Sequence, residues 1–237
     1  TMHADMSTLD RTFGEVLRAA RTSVAEFIHA SADDMAFIHS TSLAMNMLAL
    51  RLKRIFRDKG EIVTLRDEFP SSTLPYKRLG FKLSFVRPEH DNTYDIDAIT
   101  RRITPQTAAV VVSWVQFRTG FRLNLEDLSV VLEDLNVPLI INATQGAGVL
   151  PLDVRKLKCM AIVFSAHKWL FSGPGSAAVY LPESVRGDGF PPLAGWLSVR
   201  DPFELNNHHL FVDKRAQSVE LGGNSLIPPV CLQAACN

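Results

Sequence analysis

Six short apolar runs set the terms for what this chain can fold into: residues 62–65, 83–86, 108–113, 138–141, 161–164 and 177–181. Several are apolar at nearly every position. A strand with one wet face alternates apolar and polar residues, whereas an unbroken run must be covered on both faces. Stretches of helical period lie between or before the runs. Residues 9–30 repeat Phe13, Leu17, Ala20, Val24 and Phe27 every three or four positions. A second helix is expected to open at Ser40-Thr41-Ser42, a run of residues suited to capping, and to reach about Arg57. Residues 94–103 and 125–135 also read as helical. Strands alternating with helices predict a three-layer α/β/α domain with a mostly parallel central sheet.

The remaining composition narrows the function classes. A chain of 237 residues is long enough for one large domain with a sizeable core. Its formal net charge is zero, so there is no electrostatic footprint for nucleic acid or a membrane surface. The basic tract 51–57 is followed by Glu61, Asp67 and Glu68, and reads as a solvated helix end. The three cysteines, Cys159, Cys231 and Cys236, fit neither a disulfide framework nor a zinc spacing. Reduced thiols in a cytoplasmic protein are the expectation. No apolar run reaches membrane-spanning length, and residues 1–10 lack the apolar stretch of a signal peptide.

From Pro182 the chain changes character. Gly187, Gly189, Pro191, Pro192, Gly195 and Pro202 break regular structure, as expected of a surface excursion toward a partner or second domain. A helix is expected to begin near Val230, only a few residues before Asn237, which suggests a piece of a longer protein.

Four tracts at expected strand ends carry chemistry. Ser165-Ala166-His167-Lys168-Trp169-Leu170 follows the run 161–164. A lysine there sits where open α/β sheets bind ligands, although a lone lysine in that place is equally a surface residue. Asn142-Ala143-Thr144-Gln145-Gly146 follows the run 138–141, and Asp67-Glu68-Phe69-Pro70-Ser71-Ser72 follows the run 62–65. Phe37-Ile38-His39-Ser40-Thr41-Ser42 opens a helix, whose free N–H groups and hydroxyls suit a phosphate as well as a plain cap. No Gly-x-Gly-x-x-Gly tract follows a first strand, which argues against a dinucleotide-binding fold.

These tracts, with Gly173-Pro174-Gly175, Pro151-Leu152-Asp153-Val154, Leu74-Pro75 and Gly195-Trp196, resemble the class V aminotransferase superfamily of fold-type I pyridoxal-5′-phosphate (PLP) proteins. That superfamily includes cysteine desulfurases, selenocysteine lyases, isopenicillin N epimerase-like proteins and kynureninases. The resemblance implies that Lys168 forms the Schiff base and moves the substrate Cα proton. It implies that Thr41, Ser42, Ser165 and His167 hold the phosphate or its surroundings, that Phe69 stacks on the pyridine ring, and that Gln145 hydrogen-bonds the phenolic oxygen. It also implies a small amino-acid substrate and a homodimer with shared active sites.

The sequence departs from the family pattern in four places. Asn142 stands where the family has the aspartate that pairs with the pyridine nitrogen. Gly223 stands where relatives carry a threonine that reaches the partner's phosphate; its backbone N–H could still serve. Trp114 replaces a smaller polar residue, either narrowing the pocket or filling the core. The family's small C-terminal domain and part of its N-terminal segment are expected to lie outside this chain. The expected function is a PLP-dependent C–S lyase of the desulfurase kind, with an epimerase as near rival. A catalytically silent, dimerising or regulatory PLP-fold module is the alternative of another class.

Overall fold

The computed structural model describes residues 2–187, 190–222 and 225–237, with side chains from residue 12 onward. The helices are α1 (Met2–Phe27), α2 (Thr41–Ile55), α3 (Leu74–Arg78), α4 (Ile96–Thr100), α5 (Leu125–Asp134) and α6 (Ile227–Cys236). The strands are β1 (Met35–Ile38), β2 (Glu61–Leu65), β3 (Lys82–Val86), β4 (Thr107–Ser113), β5 (Leu139–Asn142), β6 (Ala161–Ser165) and β7 (Ala177–Tyr180). They form one seven-stranded sheet in the order β1-β7-β6-β5-β4-β2-β3. Only β7 runs antiparallel to its neighbours, so the others end at a common edge.

The unbroken apolar runs are explained by two cores. In β4 every residue is buried. Val110 and Val112 pack on one face with Val24 of α1, Ile99 of α4 and Leu128 of α5. Ala109 and Val111 pack on the other with Met45 and Leu48 of α2 and Tyr76 of α3. This period-2 alternation between two covered faces is what a three-layer sandwich requires. A charge at Val111, in the middle of the sheet, would be buried without a partner and would unfold it.

Most expected elements are present, with shifts at their ends. The helix expected over 94–103 contracts to α4, capped by the Asp95 side chain on the Asp97 N–H. Sequence reading took Phe37-Ile38 only as a helix opening and so missed β1, a strand of 4 residues. That strand matters: Ile38 and Ser165 both pair with Ala177, which brings the start of α2 to the end of β6 across one strand. Past Pro182 the chain forms short 3-10 turns rather than long elements until α6, which packs on α1.

Candidate active site

Five strand ends converge on the common edge, and each delivers a polar group for a local reason. After β1, Ser40 takes an extended conformation and its hydroxyl accepts the Leu43 N–H at 3.1 Å, which starts α2. That leaves the N–H groups of Thr41 and Ser42 at the free end of the helix. The Thr41 and Ser165 hydroxyls are 2.6 Å apart, and the Ser165 N–H donates to the Thr144 hydroxyl at 3.1 Å. Three hydroxyls from three segments therefore gather beside a helix N-terminus, an arrangement suited to an anion. Thr41 is buried, whereas Ser42 is exposed and its carbonyl accepts from the Asn46 side chain at 2.8 Å.

The two carboxamides expected at the site are both oriented with their oxygens engaged. Asn142 Oδ1 accepts the Thr144 N–H at 3.1 Å, while Nδ2 donates to the Ser72 hydroxyl at 2.9 Å. Gln145 Oε1 accepts the indole N–H of Trp169 at 3.2 Å. Both amides thus keep N–H groups for an acceptor. The Phe69 ring is 49% exposed and packs edge-on against Phe117, with centroids 5.4 Å apart. A half-open, braced ring is a flat apolar surface ready to be covered.

Lys168 stands on the turn after β6. This turn is closed by the Ala166 N–H to the Ser176 carbonyl at 3.1 Å and the Ser172 N–H to the Ala166 carbonyl at 3.1 Å. Lys168 and His167 are exposed, and among the described residues no ion pair holds either. Gly148 has a positive φ of 97°, and a Cβ there would come within 3.0 Å of the Trp169 backbone, so a side chain would push this turn away. Gly223, the remaining expected site residue, lies outside the described residues.

Sequence reading missed Ser72, Ser113 and Gln116, which surround the buried Glu68, and Phe117, which braces Phe69. Trp114 is buried, and its ring lies where a Cβ on Gly146 would meet it at 2.3 Å. Of its two expected roles, the packing one is what the geometry provides. A cavity of about 750 Å³ between α1 and the segment 197–217 is lined by Leu17, Arg21 and Phe203, and by none of the expected site residues. Among the described residues no helix is long and apolar enough to cross a membrane, and no cluster could hold a metal ion.

The model of the family described as Aminotransferase class-V matches residues 1–210. The chain belongs to that family. A probable cysteine desulfurase of Pyrococcus abyssi is 28% identical over 204 residues, which are 84% of this chain and 51% of the relative. The mitochondrial cysteine desulfurase of Arabidopsis thaliana is 26% identical over 171 residues, 70% of this chain and 38% of the relative. Among solved structures, the apo cysteine desulfurase of Thermococcus onnurineus NA1 matches with a TM-score of 0.84 and 26% identity, covering 96% of this chain and 57% of that one. The chain spans about half the length of the curated relatives it matches.

Members of the class V family use pyridoxal phosphate. The residues at this rim fit that group: a hydroxyl cluster beside a helix N-terminus for the phosphate, a half-exposed ring for the pyridine, donor amides for its polar edge, and an amine on a turn.

Proposed function

We propose that this chain is the large, cofactor-binding domain of a PLP-dependent enzyme that cleaves a C–S bond in a small amino acid, with Lys168 as its covalent anchor for the cofactor. When bound, PLP supplies a carbonyl that condenses with amines and a ring that draws electrons from the carbon beside it. Thr41, Ser165 and Thr144 would seat the phosphate together with the first N–H groups of α2, with Ser42 and His167 at its outer side. Phe69 would cover one face of the ring and exclude water from it. Gln145 would donate from Nε2 to the phenolic oxygen, since its Oε1 is already taken by Trp169. Asn142 would donate to the ring nitrogen. The Lys168 Nζ would hold the cofactor and move the proton at the substrate Cα.

The observation that carries the reading is the gathering of the hydroxyl cluster, the two donor amides and the Lys168 turn at one sheet edge in a class V chain. The names of the relatives point to cysteine as the substrate. Cys159 lies just before the start of β6, at the opposite end of that strand from Ser165 and Lys168, and burial pushes its thiol up to about 12, so it is no candidate for a sulfur-accepting nucleophile at this edge. The same reading carries a homodimer with shared active sites, in the cytoplasm.

The test is to load the full protein with PLP, supply L-cysteine with a reducing thiol, and measure sulfide together with alanine or pyruvate. Cleavage supports the lyase. Racemisation of an amino acid without cleavage moves the reading to an epimerase. A loaded protein that turns over no amino acid moves it to the silent module, the alternative that Asn142 favours because it brings no charge to the ring.

A further inference from the structure

Glu68 is a carboxylate that the chemistry above leaves unused. It is 8% exposed and lies inside a shell of donors. Oε1 accepts the Ser113 backbone N–H at 2.6 Å and Gln116 Nε2 at 3.0 Å, and Oε2 accepts the Ser113 hydroxyl at 2.5 Å. The Ser72 side chain also lies close enough to the same carboxylate to help hold its charge. Ser72 in turn faces Asn142 Nδ2 at 2.9 Å. An amide nitrogen only donates, so the one proton of Ser72 is free to go to Glu68 and its oxygen receives Asn142. At the other end, Asn142 Oδ1 is held by the Thr144 N–H. A flipped amide would set N–H against N–H there, so the orientation is fixed from both sides. The second N–H of Nδ2 remains for an incoming acceptor.

We propose that Glu68, acting through Ser72, is a positioning residue that holds Asn142 as an N–H donor at the end of β5, so that the ring nitrogen of the cofactor is received there as an uncharged acceptor. The part concerning the cofactor rests on the reading of this rim as a PLP seat. The chain Glu68–Ser72–Asn142 also accounts for asparagine at position 142. An aspartate there would compete with Glu68 for the single proton of Ser72, and two buried carboxylates one hydroxyl apart repel each other. The buried glutamate and the asparagine are one arrangement.

Two measurements on the full protein test this, one without cofactor and one with it. In the apo protein, Asn142→Asp is introduced into the wild type and into Glu68→Gln, and folding is followed in urea. The folding equilibrium constant should fall roughly 30-fold or more in the wild-type background and only a few-fold in the Glu68→Gln background. Equal losses in both backgrounds overturn the coupling. Should Glu68→Gln not fold, Glu68→Met, which also removes the charge, replaces it as the second background, with the same expectation. In the protein loaded with PLP labelled with 15N in the ring, the nitrogen should resonate as an unprotonated acceptor in the wild type and as a protonated one in Asn142→Asp/Glu68→Gln. Glu68→Gln alone should move the wild-type resonance, which a merely structural glutamate would leave in place. A protonated nitrogen in the wild type overturns the proposal. A protein that takes up no PLP refutes the proposed function and the cofactor part of this inference, while the apo cycle still decides whether Glu68 controls Asn142.

Discussion

Around Glu68 the rim is buried and wired by hydrogen bonds from Ser113 and Gln116, whereas on the turn after β6 His167, Lys168 and Trp169 stand exposed. The first region holds its groups before any ligand arrives; Gln116 Oε1 is its one buried side-chain atom without a partner among the described residues. The second leaves an amine on a long, mobile stem. The difference suits the two tasks proposed for these regions. A group that must present a fixed dipole to a ring is best held in advance. A lysine proposed to hold a cofactor and to move a proton needs rotamer freedom.

The comparison breaks if the buried side proves cheap to dismantle. Glu68→Ala leaves the donors of Ser113 and Gln116 without their acceptor, and should cost about 3 kcal/mol of stability in urea denaturation. A loss no larger than that of a surface glutamate would mean the network is not formed. Gly146→Ala puts a Cβ 2.3 Å from the Trp114 ring and should cost about 2 kcal/mol by the same measurement. Thr41→Val removes one hydroxyl from the cluster with Ser165. It should cost about 1 kcal/mol and weaken PLP binding roughly tenfold, read by fluorescence titration. On the open turn, Phe171 is 83% exposed, and Phe171→Ser should leave stability within about 0.5 kcal/mol.

Proton linkage sharpens the same contrast. Burial raises the Glu68 carboxyl above its ordinary 4.5, against the pull of its hydrogen bonds. The folded state therefore binds a proton more tightly than the unfolded state does. The contribution of this group to stability is full below about 4.5 and declines as pH rises through the raised value. Glu68→Gln should flatten that part of a stability-against-pH profile, and an unchanged slope would place its origin elsewhere.

How much of this was legible in the sequence follows the same division. The tracts that hold Lys168, Gln145 and Asn142 could be picked out because each follows an apolar run and strand ends carry sites in such sheets, while the roles of the three residues came from the family resemblance. The three-layer fold was legible because β4, β5 and β6 are apolar on both faces. β1 was not, because four residues between a 3-10 turn and a helix cap give too short a pattern to separate from a helix opening. The wiring of Glu68 was hidden for another reason. Ser113 and Gln116 sit in and just after a run that continues into Trp114 and Val115, and Ser113 meets Glu68 across a sequence separation of 45. Parallel pairing of β2 and β4 makes that meeting, and local pattern does not encode it.

Lys168 is proposed as the anchor of a PLP seat at this edge. The most direct test mixes the protein with PLP, reduces it with borohydride and maps the modified peptide by mass spectrometry, in parallel with Lys168→Ala. An adduct is expected on Lys168, and none in a Lys168→Ala variant that still folds. No adduct, or one spread over surface lysines and unchanged in Lys168→Ala, would contradict the proposal.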